Sequence, residues 1–300
     1  MNRKLLVTLM LALSLLAAAC GGIGDDGSGP GSGGGDGGDD PTIDHPTGAD
    51  ELILRLEQGG GFVPVEYNLR TVPGVSIYGD GRMIVQGPVI EIYPGPALPN
   101  LQVTRLTEEA IQAILAEADA AGLLGPDASY DYPCVTDLPT TTFSVNADGA
   151  THTTSAYALG FADGGMSTGQ CEGVDVAARE ELLDFSTKLG DVRGWLPAGS
   201  FSDEEPFVPS ALRVYVTKYR GAGEPELEQP EVVWPLDTAL DRFGDPDVNL
   251  QDYRCGVVQG QDLDALLPEA QAANELTPWV SGGATYGLVF RPLLPDESGC

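Results

Sequence analysis

Histidine, lysine and cysteine are scarce in this 300-residue chain, and each scarcity narrows the chemistry open to it. The two histidines are His45 and His152, and only His152 falls in the part expected to fold. A serine or cysteine nucleophile normally needs an adjacent base, most often histidine, so the supply for such catalysis is thin. Gly165-Met166-Ser167-Thr168-Gly169 fits the G-x-S-x-G elbow, but no histidine follows Ser167, and the stretch reads as a glycine-rich loop. The three lysines are Lys4, Lys188 and Lys218, within a total of 15 basic residues against 45 acidic ones. A formal net charge of −30 repels phosphate backbones, which excludes nucleic acid as a partner. Five cysteines show no C-x-x-C spacing, so no metal site is expected. No catalytic residue and no cofactor is assigned from the sequence.

The first twenty residues carry an address. Arg3 and Lys4 form a positive start, Leu5 to Leu16 is almost wholly apolar, and Ala17-Ala18-Ala19 precedes Cys20. The apolar core suits a signal peptide and is too short for roughly 30 Å of hydrocarbon. Small residues ending on a cysteine resemble the lipobox of bacterial lipoproteins, with Ala17 where leucine is usual. The resemblance implies cleavage after Ala19, a diacylglyceryl group on the Cys20 thiol, and an acyl chain such as palmitate on the new amino terminus. It places the folded part on the extracytoplasmic face of a cell membrane, since two or three acyl chains anchor stably.

Residues 21–50 contain twelve glycines, seven aspartates and no lysine or arginine. Such a stretch has little to bury and reads as a disordered tether reaching on the order of 30 Å. The remaining 250 residues hold 38 acidic and 13 basic side chains, a net −25.

With Cys20 taken by lipid, Cys134, Cys171, Cys255 and Cys300 remain, an even number in an oxidising compartment. Three pairings are possible. Cys134–Cys171 with Cys255–Cys300 is preferred because each bridge then stays within one candidate domain.

The folded part begins with two extended-looking stretches, Glu51 to Glu57 and Val63 to Arg70. Hairpins are predicted around Asp80-Gly81 and Asp148-Gly149. Thr107 is placed to cap a helix ending at Gly122, and Asp175 to cap one over Val176 to Leu189. Three prolines and Asp203-Glu204-Glu205 mark 196–210 as a linker. Beyond it, Leu212 to Thr217 reads as a strand, Gln261 to Asn274 as a helix containing Pro268, and Tyr286 to Arg291 as a closing strand. The division is a signal peptide at 1–19, lipidated cysteine and tether at 20–50, an α+β domain at 51–195, the linker, and a small α+β domain at 211–300. The predicted class is α+β, with mainly antiparallel sheets, a few packed helices and disulfide staples.

Tyr78-Gly79-Asp80-Gly81, the following helix, and Val135-Thr136-Asp137 with Pro139 resemble secreted bacterial domains with no assigned activity. Cys255-Gly256-Val257-Val258 with Phe290 to Pro295 is similar to lipoproteins of GC-rich bacteria. Together these resemblances cover about half the chain, and they imply an envelope address without an activity.

The expected function is a membrane-anchored binding or envelope-accessory module, with an envelope protein or a small ligand as partner. The alternative is a cell-surface hydrolase using paired carboxylates, on glycans for example. Trp195, Trp234 and Trp279 would line a sugar groove in that case, although packing at element ends accounts for them as well.

Overall fold

The computed structural model describes residues 42–161 and 171–300. Its first sheet grows from the Asp80-Gly81 hairpin. Val75–Tyr78 (β2) and Arg82–Gln86 (β3) are joined by a turn in which Gly81 takes φ +84°, a left-handed conformation that costs glycine little. Leu52–Gly60 (β1) pairs with β2, and Leu101–Arg105 (β4) pairs with β3. The second predicted hairpin forms around Asp148-Gly149 from Pro139–Ala147 (β6) and Ala150–Tyr157 (β7). With Ala128–Tyr130 (β5) and Glu205–Pro206 (β8) the sheet has eight strands in the order β5-β7-β6-β1-β2-β3-β4-β8. Only the β5–β7 pair is parallel.

Two helices cover one face of this sheet. Thr107 caps Glu108–Ala120 (α2), its hydroxyl accepting from the Ala110 N–H at 3.3 Å, and Glu108 and Glu109 sit in the positively polarised first turn. Asp175 caps Val176–Gly190 (α3) in the same way through the Ala178 N–H, and the short Val192–Trp195 (α4) follows. Ile111, Ile114 and Leu115 of α2 and Leu182 and Phe185 of α3 pack on Ile53, Ile77, Phe143 and Val145. The i, i+3, i+4 spacing of the α2 residues explains why this helix was legible from its pattern.

The second sheet has six strands in the order β10-β13-β14-β9-β12-β11. They are Ala211–Lys218 (β9), Val232–Val233 (β10), Asp245–Pro246 (β11), Arg254–Gln259 (β12), Trp279–Ser281 (β13) and Ala284–Pro292 (β14). Again one edge pair, β10–β13, is parallel and the rest are antiparallel. Gln261–Ala272 (α5) runs through Pro268 as one helix, and its Leu263, Leu266 and Ala270 pack with Leu212, Val214, Val258 and Phe290. Trp234 and Trp279 belong to this core, in edge-to-face contact at 6.1 Å, so they serve packing. Trp195 is half-buried and donates to the Lys188 carbonyl at 3.0 Å.

The α+β class and both disulfides stand as expected: Cys134–Cys171 and Cys255–Cys300, with Cα separations of 5.8 and 6.0 Å. One expectation needs correction. Val63 to Arg70 is not extended: after Pro64, which fixes φ at −55°, Val65–Arg70 forms a short helix (α1). No residue of α1 is fully buried, so it had no apolar stripe to betray it. Residues 43–50, read from the sequence as the end of a tether, dock on the first sheet and α2. The Ile43 N–H donates to Gln112 at 2.9 Å, and a Cβ at Gly79 would lie 2.5 Å from the Thr47 backbone. The 196–210 stretch, read as a linker, supplies β8, and Phe201 bridges to Leu106. Both sheets lie within one compact unit.

Candidate functional site

The helix α1 is where the two halves meet a cleft. Two residues facing one way, Val65 and Leu69, pack on Tyr215, Tyr253 and Val289 and hold α1 against the second sheet. Glu66 and Arg70, also four apart, line the opening. Glu66 accepts a hydrogen bond from the Tyr253 hydroxyl at 2.5 Å, and Arg70 donates through Nη2 to Glu275 at 2.5 Å. Glu275 also accepts from the Gly95 N–H at 3.0 Å, which ties the 93–97 loop to the start of β13's approach. The cleft encloses about 330 Å³ and is floored by the end of β9 with the residues just beyond it, Thr217 to Gly221, and by the middle of β14, Gly287 to Val289. A second hollow of about 540 Å³ lies beyond Arg70, walled by Val89, Ile90, Leu98 and Leu267. Volumes of this size fall in the range that small-molecule sites occupy.

The electrostatics of the first cleft are unusual for so acidic a chain. Three cations line it, Arg70, Lys218 and Arg220, against two carboxylates, Glu66 and Glu275. Among the described residues, Lys218 is the one lysine or arginine whose side chain makes neither an ion pair nor a hydrogen bond to the protein. Arg220 reaches Asp252 only at 3.9 Å, with both side chains mostly in water, an arrangement that contributes little. The Arg70 Nε is the only buried side-chain polar atom among the described residues that finds no partner. Such an atom costs stability unless something else satisfies it. Burial pushes the Glu66 carboxyl up. The Tyr253 hydrogen bond, with Arg220 and Arg70 nearby, outweighs this and holds it below the usual carboxylate range.

The residues singled out from the sequence lie elsewhere. Cys20 and Ser167 fall outside the described residues. His152 sits on β7 with Nδ1 2.8 Å from the Gly125 carbonyl, a bond that ties the strand to the turn after α2. His45, set aside with the tether, is instead ordered: its side chain is 6% exposed, with Nε2 3.0 Å from Glu108 at the start of α2. Lys188 on α3 pairs with Glu117 on α2. The four cysteines form the two bridges, and among the described residues no three His, Cys, Asp or Glu side chains group as metal ligands. No described helix is long and apolar enough to cross a membrane.

Sequence reasoning missed the cleft because its parts come from four separated segments, 64–70, 93–97, 217–221 and 275–289. One signal was present. Lys218-Tyr219-Arg220 places two cations at a strand end in a chain with few of them. No family model, no curated protein and no solved structure matches this chain.

Proposed function

We propose that this chain is a lipid-anchored extracytoplasmic binding module whose ligand site is the cleft beside α1. The observation that carries the binding half is the unpaired Lys218 in a cleft walled by apolar side chains. The folded part carries 38 carboxylates, and an exposed cation at the cleft lining that pairs with none of the described ones suits a ligand's charge. The anchoring half rests on Ala17 to Cys20 and on the glycine-rich run behind them. A hydrolase built on paired carboxylates draws no support from Glu66 and Glu275, because each already accepts hydrogen bonds from protein partners.

The anchor is testable at once. The mature protein is expected to enter the detergent phase on temperature-induced partitioning, and Cys20→Ser to remain in the aqueous phase or keep its signal segment. A Cys20 peptide carrying a free thiol in the mass spectrum contradicts the anchor. For the binding half, the Cys20→Ser chain should retain an envelope component that Lys218→Glu, folded equally well, releases. Equal retention by both contradicts the cleft as the site.

A further inference from the structure

We infer that the cleft takes a small organic monoanion with an apolar body, held by its carboxylate or sulfonate against Lys218 and Arg220. This deepens the binding reading and rests on it. Counting only the side chains that line the cleft, the balance favours a single negative charge on the ligand. Arg70, Lys218 and Arg220 face Glu66 and Glu275, which leaves one positive charge in surplus at the lining. A dianion would overshoot that surplus, and its second charge would meet the two carboxylates and the −25 of the folded part. A neutral ligand would leave Lys218 without a partner.

The geometry divides the labour among the cations. Arg70 is already committed to Glu275 through Nη2, so it positions the 93–97 loop while its Nε stays without an acceptor. Among the described residues the Lys218 side chain has no partner, and Arg220 is held only by a long, exposed contact with Asp252. Lys218 ends β9 and Arg220 lies two residues beyond it, and the register sets Lys218 opposite Tyr286 and Thr217 opposite Gly287. The absence of a side chain at Gly287 keeps the floor low beside them. The walls supply the apolar body's surface: Tyr93, Ala97, Leu276, Leu288 and Val289 all line the cleft. Tyr93 is 65% exposed, a large aromatic left in water at the mouth, where a flat apolar group would cover it. Binding would thus join one charge-assisted contact to burial of an aromatic or alkyl body in about 330 Å³.

Two dyes with one skeleton separate these contributions. The probes are 8-anilinonaphthalene-1-sulfonate and its neutral parent N-phenyl-1-naphthylamine, titrated by fluorescence into the full chain carrying Cys20→Ser. The anionic dye is expected to saturate a single site and to bind about tenfold more tightly than the neutral one. Lys218→Gln should remove most of that preference, with the neutral dye's affinity and the melting temperature unchanged, and Arg220→Gln should weaken it in part. Equal affinity for the two dyes overturns the monoanion assignment and leaves the cleft as an apolar binding site. A preference for the anionic dye that survives both substitutions also overturns the assignment, since the charge is then read elsewhere. Failure of both dyes to saturate any site overturns the assignment and the binding reading together.

Discussion

Replacing Asp296 by alanine should cost the fold about 3 kcal/mol. Asp296 Oδ1 accepts from Arg55 Nη2 and from the Tyr78 hydroxyl, each at 2.7 Å. Arg55 also reaches Ser76 at 3.1 Å, and its side chain is only 12% exposed, while Tyr78 is fully buried. Removing the carboxylate strands a guanidinium and a phenol in the interior without their acceptor, and that loss is what makes breaking such a pair expensive. Next to it, Arg291 grips Glu297 with both fork nitrogens at 2.7 Å. Together they pin the C-terminal tail from β14 onward to β1 and β2, across more than two hundred residues of sequence. Tyr78→Phe removes one neutral donor and should cost only about 1 kcal/mol.

The same clasp sets a pH dependence whose sign follows from the shifts. Burial pushes the carboxyls of Asp296 and Glu297 up, but hydrogen bonds from Arg55 with Tyr78, and from Arg291, hold both below their ordinary values. Groups with depressed folded-state values contribute stability above the unfolded value, near pH 4, and lose it as pH falls further. Tyr78 is shifted the other way, raised by burial and by Asp296, so its contribution persists at neutral pH and is lost only at high alkalinity. Urea unfolding from about pH 6 down to pH 2 should therefore fall more steeply for wild type than for Asp296→Ala. Parallel curves for the two would remove the clasp from the account.

Removing the Cys255–Cys300 bridge as a Ser/Ser pair should cost about 4 kcal/mol on the chain-entropy model, given a sequence separation of 45. The native state adds to this, since Cys255 is buried in β12 opposite Tyr215 and Asp245, and a serine there meets an apolar neighbourhood. The backbone is tight at this place too: a Cβ on Gly244 would sit 2.0 Å from the Cys255 carbonyl oxygen. Cys300 ends the same tail that Asp296 clasps, so the two devices share one segment. Their losses should not add, because once the tail is free at one point the other restrains less. A double variant costing the full sum of the single losses would show that the bridge and the clasp act independently. Cys134–Cys171, with a separation of 37, should contribute nearly as much through the unfolded chain. It gathers Tyr132, Ala158 and Val135 into a small cluster away from the tail, so its loss should leave the acid slope unchanged.

Legibility in the sequence followed how local the determining physics was. The hairpins at Asp80-Gly81 and Asp148-Gly149, and the helices capped by Thr107 and Asp175, were readable because a few adjacent residues determine them. The disulfide pairing was readable because four cysteines split evenly between the two halves. The helix α1 was not, since Val65 and Leu69 alone touch the core and Pro64 before them is as much at home in extended chain. The docking of 43–50 was hidden for a related reason: it offers one apolar residue to the core, Ile43, and is otherwise held by polar contacts such as the Ile43 backbone with the Gln112 side chain and His45 with Glu108. The cleft was the least legible of all. Its charge surplus depends on which of thirteen cations find partners, and partners such as Asp296 for Arg55 or Glu275 for Arg70 are set only by the packed fold.

The central claim, that the cleft beside α1 is the ligand site, is tested most directly by mapping amide chemical shifts of the ¹⁵N-labelled Cys20→Ser chain on addition of the small-molecule fraction of a cell-envelope extract. The account predicts saturable shifts concentrated at Glu66 to Arg70, Tyr93 to Ala97, Thr217 to Gly221 and Gly287 to Val289, lost in Lys218→Gln. Saturable shifts confined to another face, with those four segments unmoved, would contradict it.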